Sequence, residues 1–279
     1  MNRLTTDQVR RNQKTRDNWE NAAEHRQRVT EGLVRGFEAG EARLCVLGAG
    51  NCNDLDLVTL LSVFREVALV DLDDEALRQG VARQEVSDHA GLRIHAPVDI
   101  TGAWDQLGSW DAEHPPTDDQ IDSLLDTLTH PQELDLGEPF DLTASICLLS
   151  QLVEAAVTAV GEKHPRFLEV ITTLRKSHVQ RMLEQTKPGG LGFLVTDFVS
   201  SDTAPALRAV PDTELPRLSA GLIEQNNFFH GLNPVVLGRL LQDDAELAPR
   251  IEYCQLMQPW RWRLGERVYA VTALKFRRN

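Results

Sequence analysis

Hydrophobic positions along the chain follow two alternating rhythms from residue 43 onward. Short continuous apolar runs, Arg43–Leu47 and Val67–Val70, predict buried parallel strands, the second ending abruptly in Asp71. Between them Leu57, Leu60, Leu61 and Phe64 recur at i, i+3, i+4 and i+7, the stripe of an amphipathic helix. The alternation continues with a helix from Asp74 to about Val86, a strand Leu92–Ala96 and a strand Phe140–Ile146. Helices over Leu152–Val160 and Phe167–Gln185 follow, then a fifth strand, Gly192–Phe198. Pro188-Gly189-Gly190 predicts the stop of the preceding helix. Two late apolar runs, around Ile251–Met257 and Val268–Lys275, have no helix between them and predict an antiparallel hairpin.

Residues 5–40 are polar, with a narrow apolar stripe of Val29, Leu33, Val34 and Phe37, and read as a helical leader that packs on the body. The expected fold is α/β: a doubly wound, mostly parallel seven-stranded sheet with an antiparallel C-terminal edge hairpin and a helical N-terminal leader. The leader spans 1–40 and the main domain 41–279, with insertions at about 101–139 and 201–234. The first insertion lies in a stretch from Ile94 to Glu162 without Lys or Arg, and reads as a solvated acidic segment.

Charge narrows the partners. The 279 residues carry a formal net charge of −13, which disfavours nucleic acid and anionic membranes, since both are bound through Lys and Arg. No apolar run reaches the roughly 18 residues of a membrane span, and the N-terminus lacks the apolar core of a signal peptide. Four scattered cysteines, two of them (Cys45 and Cys147) inside strand-like runs, suit buried thiols in a reducing cytoplasm and not a metal site.

The chemistry concentrates at the first strand's end. Gly48-Ala49-Gly50-Asn51 lies between strand and helix, where unpaired helix N–H groups meet ligands. Asp71, 21 positions after Gly50, is placed to accept hydrogen bonds from ribose hydroxyls. Dinucleotide sheets and S-adenosylmethionine sheets share that pattern. Two features separate them. The sixth position of the glycine pattern is Asn53 where a dinucleotide site wants glycine, and Asp54 and Asp56 fall in the first turn of the next helix. A pyrophosphate there is repelled, whereas an ammonium and a sulfonium are not.

With these residues in place, the chain resembles class I S-adenosylmethionine-dependent methyltransferases. Leu44–Asp54 is similar to the first motif of that family, Val70-Asp71-Leu72-Asp73 to the second, and Val98-Asp99-Ile100 to the third. Phe140–Ser145 and Lys187-Pro188-Gly189-Gly190 resemble the fourth strand and the turn before the fifth. The resemblance implies S-adenosyl-L-methionine as cofactor, with Asp71 and Leu72 at the ribose and Asp99 and Ile100 at the adenine edge. Leu47 replaces the family's common acid before the first glycine, and Asp54 is the residue that can substitute for it.

The acceptor is expected above the carboxyl ends of strands four and five, near Ser150, Gln151 and Asp197. Ser150 and Gln151 are candidates for the methionine moiety, although Ser150 also reads as a helix cap. Asp197 is the candidate base or cation anchor, and Asn226–His230 a candidate lid with His230 as the titratable group. Trp260-Arg261-Trp262-Arg263 reads as a hairpin end packing aromatic rings. The implied activity is methyl transfer to a small molecule or protein side chain. An NAD-dependent oxidoreductase and a catalytically silent S-adenosylmethionine-binding interaction module are the alternatives.

Overall fold

The computed structural model describes residues 2–111 and 113–279. Two leader helices, α1 (Arg3–Thr15) and α2 (Ala23–Val34), precede the sheet. Then come β1 (Arg43–Leu47), α3 (Leu57–Val63), β2 (Glu66–Val70), α4 (Asp74–Arg83), β3 (Leu92–His95), α5 (Trp104–Gly108), α6 (Asp118–Thr129) and β4 (Phe140–Ile146). The second half carries α7 (Leu148–Val160), α8 (Phe167–Gln185), β5 (Thr186–Ser200), α9 (Leu215–Glu224), α10 (Pro234–Asp243), β6 (Ile251–Leu256), β7 (Trp260–Leu264) and β8 (Arg267–Arg278).

The strands form one sheet in the order β3-β2-β1-β4-β5-β8-β6, parallel from β3 to β5 and antiparallel beyond. This is the expected doubly wound class, with one strand more at the edge. β6 pairs the far half of β8 (Leu274 to Arg278) and β7 the near half (Arg267 to Val271), so the two lie end to end. Pro259, which has no N–H to donate, sits at the break between them. Trp260–Arg263 is therefore strand, not hairpin end; the tight turn is at Gly265.

Because strand side chains alternate, β1 sends Cys45 and Leu47 into one core and Leu44 and Val46 into the other. The first core holds α5–α8, the second α2–α4. The acidic stretch 101–139 belongs to the first: Trp104, Leu107, Trp110, Ile121, Leu124 and Leu128 are buried, while Asp118, Asp119, Asp122 and Asp126 stay in water. It is a packed crossover between β3 and β4 with an acidic outer face.

Other boundaries shift for local reasons. β5 starts at Thr186 because Lys187–Gly190 is accommodated by a register shift opposite Phe140–Leu142. The Pro-Gly-Gly sequence is thus an irregularity within the strand. α7 starts at Leu148, with Cys147 in the left-handed conformation as its N-cap (φ 50°). Ser150 is inside the first turn, not the cap.

Candidate functional site

The chain turns from β1 toward α3 through Gly48, whose φ of +75° is open to glycine at little cost. A Cβ there would also lie 2.8 Å from the Leu148 side chain. Gly80 on α4 plays the matching part from below: its absent Cβ would stand 2.3 Å from the Asn51 carbonyl oxygen, so only glycine lets α4 approach the turn. Gly50 N–H donates to Asp71 Oδ2 at 2.7 Å, and Asp73 N–H to Asp71 Oδ1 at 2.8 Å. Asp71 is only 7% exposed, and burial raises its pKa to about 6 against these hydrogen bonds.

Two adjoining cavities open above the carboxyl ends of the strands. A narrow one of about 60 Å³ is lined by Asp71, Leu72, Asp99, Ile100 and Trp104. A wide one of about 770 Å³ is lined by Ala49, Asn53, Asp54, Ser150, Asp197 and Tyr269, among others. Gln8, Asn12, Gly48, Gly50 and Gln151 belong to both walls and form the seam.

Most of the expected site residues meet here, with altered duties for several. Asp99 caps the start of α5: Oδ1 accepts from Thr101 N–H and hydroxyl, Oδ2 from Trp104 N–H, which leaves Oδ2 one lone pair free. Asn51 donates to Asn12 O and Thr15 Oγ1 and so anchors α1. Gln151 Oε1 accepts from Gln8 Nε2 at 2.8 Å. Ser150 Oγ donates to Asp197 Oδ1 at 2.5 Å. His230 also lines the wide cavity, at its rim, with its ring half exposed and 3.1 Å from Glu162 Oε1.

The two acids beyond the turn separate. Asp56 is the N-cap of α3, accepting from Thr59 N–H at 3.0 Å and Thr59 hydroxyl at 2.7 Å. Asp54 precedes the helix and lines the wide cavity. Its Oδ1 is buried and accepts no hydrogen bond from the described residues, 3.7 Å from His25 Nε2, which has no partner among them either. Burial raises the Asp54 pKa to about 7, with Arg26 opposing and Asp197 reinforcing. His25 is 1% exposed, stacks on Trp262 at 4.9 Å, and accepts from Trp260 Nε1 on Nδ1. Burial lowers its pKa to about 3, so it is neutral.

The leader is not merely a packing element. Gln8, Arg11, Asn12 and Thr15, spaced along one face of α1, line the wide cavity, and Asn12 Nδ2 donates to buried Asp73 at 2.9 Å. That polar stripe on a helix with few apolar residues was the sequence signal for it. Trp262, Tyr269, Phe228 and Phe229 complete the far wall. Among the described residues no group of three or more His, Cys, Asp or Glu is arranged to hold a metal.

No protein-family model matches the chain, and no curated protein does. Solved structures do show likenesses. The N-methyltransferase NodS from Bradyrhizobium japonicum is 11% identical, with 94% of this chain and 97% of that chain covered at a TM-score of 0.43. The magnesium protoporphyrin IX methyltransferase from Synechocystis, with bound S-adenosylhomocysteine, is 11% identical, covered 91% and 83%, TM-score 0.46. An rRNA methylase from Streptococcus thermophilus is 10% identical, covered 89% and 93%, TM-score 0.40. What this chain binds is read from its own residues.

Proposed function

We propose that this protein is an S-adenosylmethionine-dependent methyltransferase acting on a small molecule. One observation carries the reading: beside the glycine turn, the Asp54 carboxylate reaches the wall of the wide cavity and no described residue donates a hydrogen bond to it. A carboxylate at a partly desolvated cavity wall without a donor costs free energy unless a ligand supplies one. A cationic ligand does so, and a pyrophosphate is repelled. Asp71, with a lone pair left on each oxygen, suits the ribose hydroxyls, with Leu72 beside it; Asp99 and Ile100 suit the adenine end; Asp54 suits the ammonium of the methionine end.

The cofactor supplies a methyl group already activated by a sulfonium. The chain's task is then mainly to align two reactants, which can lower a barrier by roughly 7–11 kcal/mol. Ser150 holds Asp197 in one rotamer at the floor of the wide cavity. Burial raises the Asp197 pKa to about 6, close enough to neutrality for it to take a proton from an acceptor. Gln8 and Gln151, bonded across the seam, help to keep water from the reacting carbon.

Isothermal calorimetry with S-adenosylmethionine, S-adenosylhomocysteine and NAD tests this reading. Heat with both sulfur compounds and none with NAD is expected; the reverse pattern would overturn it. Any turnover in a radiolabelled methyl screen against metabolite pools ends the silent-module alternative.

A further inference from the structure

The wide cavity has a chemical bias that the cofactor does not use up. Four carboxylates, Asp54, Glu154, Asp197 and Asp202, reach its wall, against two cations, Arg11 and Arg267. Both cations are already paired. Arg11 holds both oxygens of Glu154, at 2.5 and 2.7 Å, and Arg267 Nε lies 2.7 Å from Asp202 Oδ2. With Asp54 assigned to the cofactor, Asp197 is the carboxylate left over. It is 6% exposed, its Oδ1 accepts from Ser150, and its carboxylate otherwise meets its own backbone N–H and the Cys147 thiol, with no cation of the described residues paired to it.

The same cavity has an aromatic wall. Trp262 and Tyr269, register partners across β7 and β8, have ring centroids 5.2 Å apart, and Phe229 meets Tyr269 edge-on at 6.3 Å. Phe229 is fixed there by its N–H, which donates to the Phe198 carbonyl beside Asp197. Aromatic faces attract ammonium groups through the negative face of the ring quadrupole. A leftover buried carboxylate next to such faces selects a cation with an apolar body. The formal charge of −13 draws such molecules in as well.

We propose that the methyl acceptor is an amine, bound as its ammonium between Asp197 and the Trp262–Tyr269–Phe229 wall, a proposal that rests on the methyltransferase reading. Transfer balances as follows. The ammonium gives one proton to Asp197 Oδ2, and the freed nitrogen lone pair forms the N–C bond. The C–S bond breaks with its electron pair left on sulfur. The product leaves as a methylammonium, and Asp197 returns its proton to water.

The test is calorimetry on the full chain, first with S-adenosylhomocysteine alone and then, with that compound saturating, with three probes of one shape. These are 2-phenylethylamine, 2-phenylethanol and 3-phenylpropionate. The amine should bind about ten-fold tighter than the alcohol, and the carboxylate weakest of the three. Asp197→Asn should bring the amine to within a few-fold of the alcohol while S-adenosylhomocysteine still binds. If that variant fails to fold, Tyr269→Leu should shrink the same amine advantage. Binding of S-adenosylhomocysteine without an amine preference, including no binding by any probe, overturns the acceptor proposal alone. No binding of S-adenosylhomocysteine overturns the cofactor reading beneath it.

Discussion

The two cavities on either side of Gly48 and Gly50 are built by different means. The narrow one is backbone chemistry. Asp71 is held by two backbone N–H groups and Asp99 by two more, all within a few residues of strand ends. The wide one is assembled from distant pieces: α1, the end of β5, the loop after α9, and β7–β8. Its carboxylates are held by side chains or by nothing. Local backbone geometry therefore builds the narrow end, whereas long-range packing builds the wide end.

Substitutions graded across that divide can break the contrast. The largest effect is expected from Asp71→Ala, which removes the ribose acceptor and leaves two N–H groups unpaired. S-adenosylhomocysteine affinity should fall about 100-fold by calorimetry, equivalent to the loss of one or two charged hydrogen bonds. A change under three-fold would refute the ribose contact. Asp54→Asn in the wide cavity should cost about ten-fold, since one charge contact is lost and the amide keeps the shape.

Protonation sharpens the same point. Burial raises the carboxyl pKa values of Asp71 to about 6 and Asp54 to about 7, and a ligand offering hydroxyls and an ammonium needs them ionised. Affinity should therefore fall as pH drops from 8 to 6, with protons released on binding. Calorimetry at pH 6.5 in two buffers of different ionisation enthalpy measures that release; none would contradict it.

Behind the wide wall, His25→Phe keeps the stack on Trp262 but leaves Trp260 Nε1 without its acceptor. A loss of about 1–3 kcal/mol in urea unfolding at pH 7.5 is expected. His25 has a folded pKa of about 3, below its ordinary value near 6.5. The unfolded chain takes up a proton here first, so wild-type stability from this residue is complete above pH 6.5 and is lost as pH falls toward 3. The variant lacks that loss, so its deficit should be smaller at pH 5 than at pH 7.5. The smallest effect belongs to Arg11→Ala. Its pair with Glu154 is about half exposed at the cavity mouth, and stability should change by roughly 1 kcal/mol or less.

The contrast also explains what was legible in the sequence. All five parallel strands, the glycine turn, Asp71 and Asp99 leave short-range signals: a run of apolar residues, a glycine, an acid at a strand end. Asp54 and Asp56 looked alike as first-turn acids, and only the folded loop shows that one caps α3 and the other faces the cavity. The polar stripe of α1 marked a wall-forming face, but its partner was not legible because Asn12 meets Asp73 across 61 residues. The aromatic wall needed the β7–β8 pairing, which the break at Pro259 obscured. His25, a polar residue in a leader helix, gave no sign of burial against Trp260, 235 positions away.

The most direct measurement is a crystal structure of the full chain with S-adenosylhomocysteine. The account predicts ribose hydroxyl oxygens about 2.5–3.0 Å from the Asp71 carboxylate. The amino group should reach Asp54 at about 2.7–3.2 Å, with the sulfur facing the wide cavity. A ligand lodged elsewhere, or one that leaves Asp71 and Asp54 without contact, would contradict it.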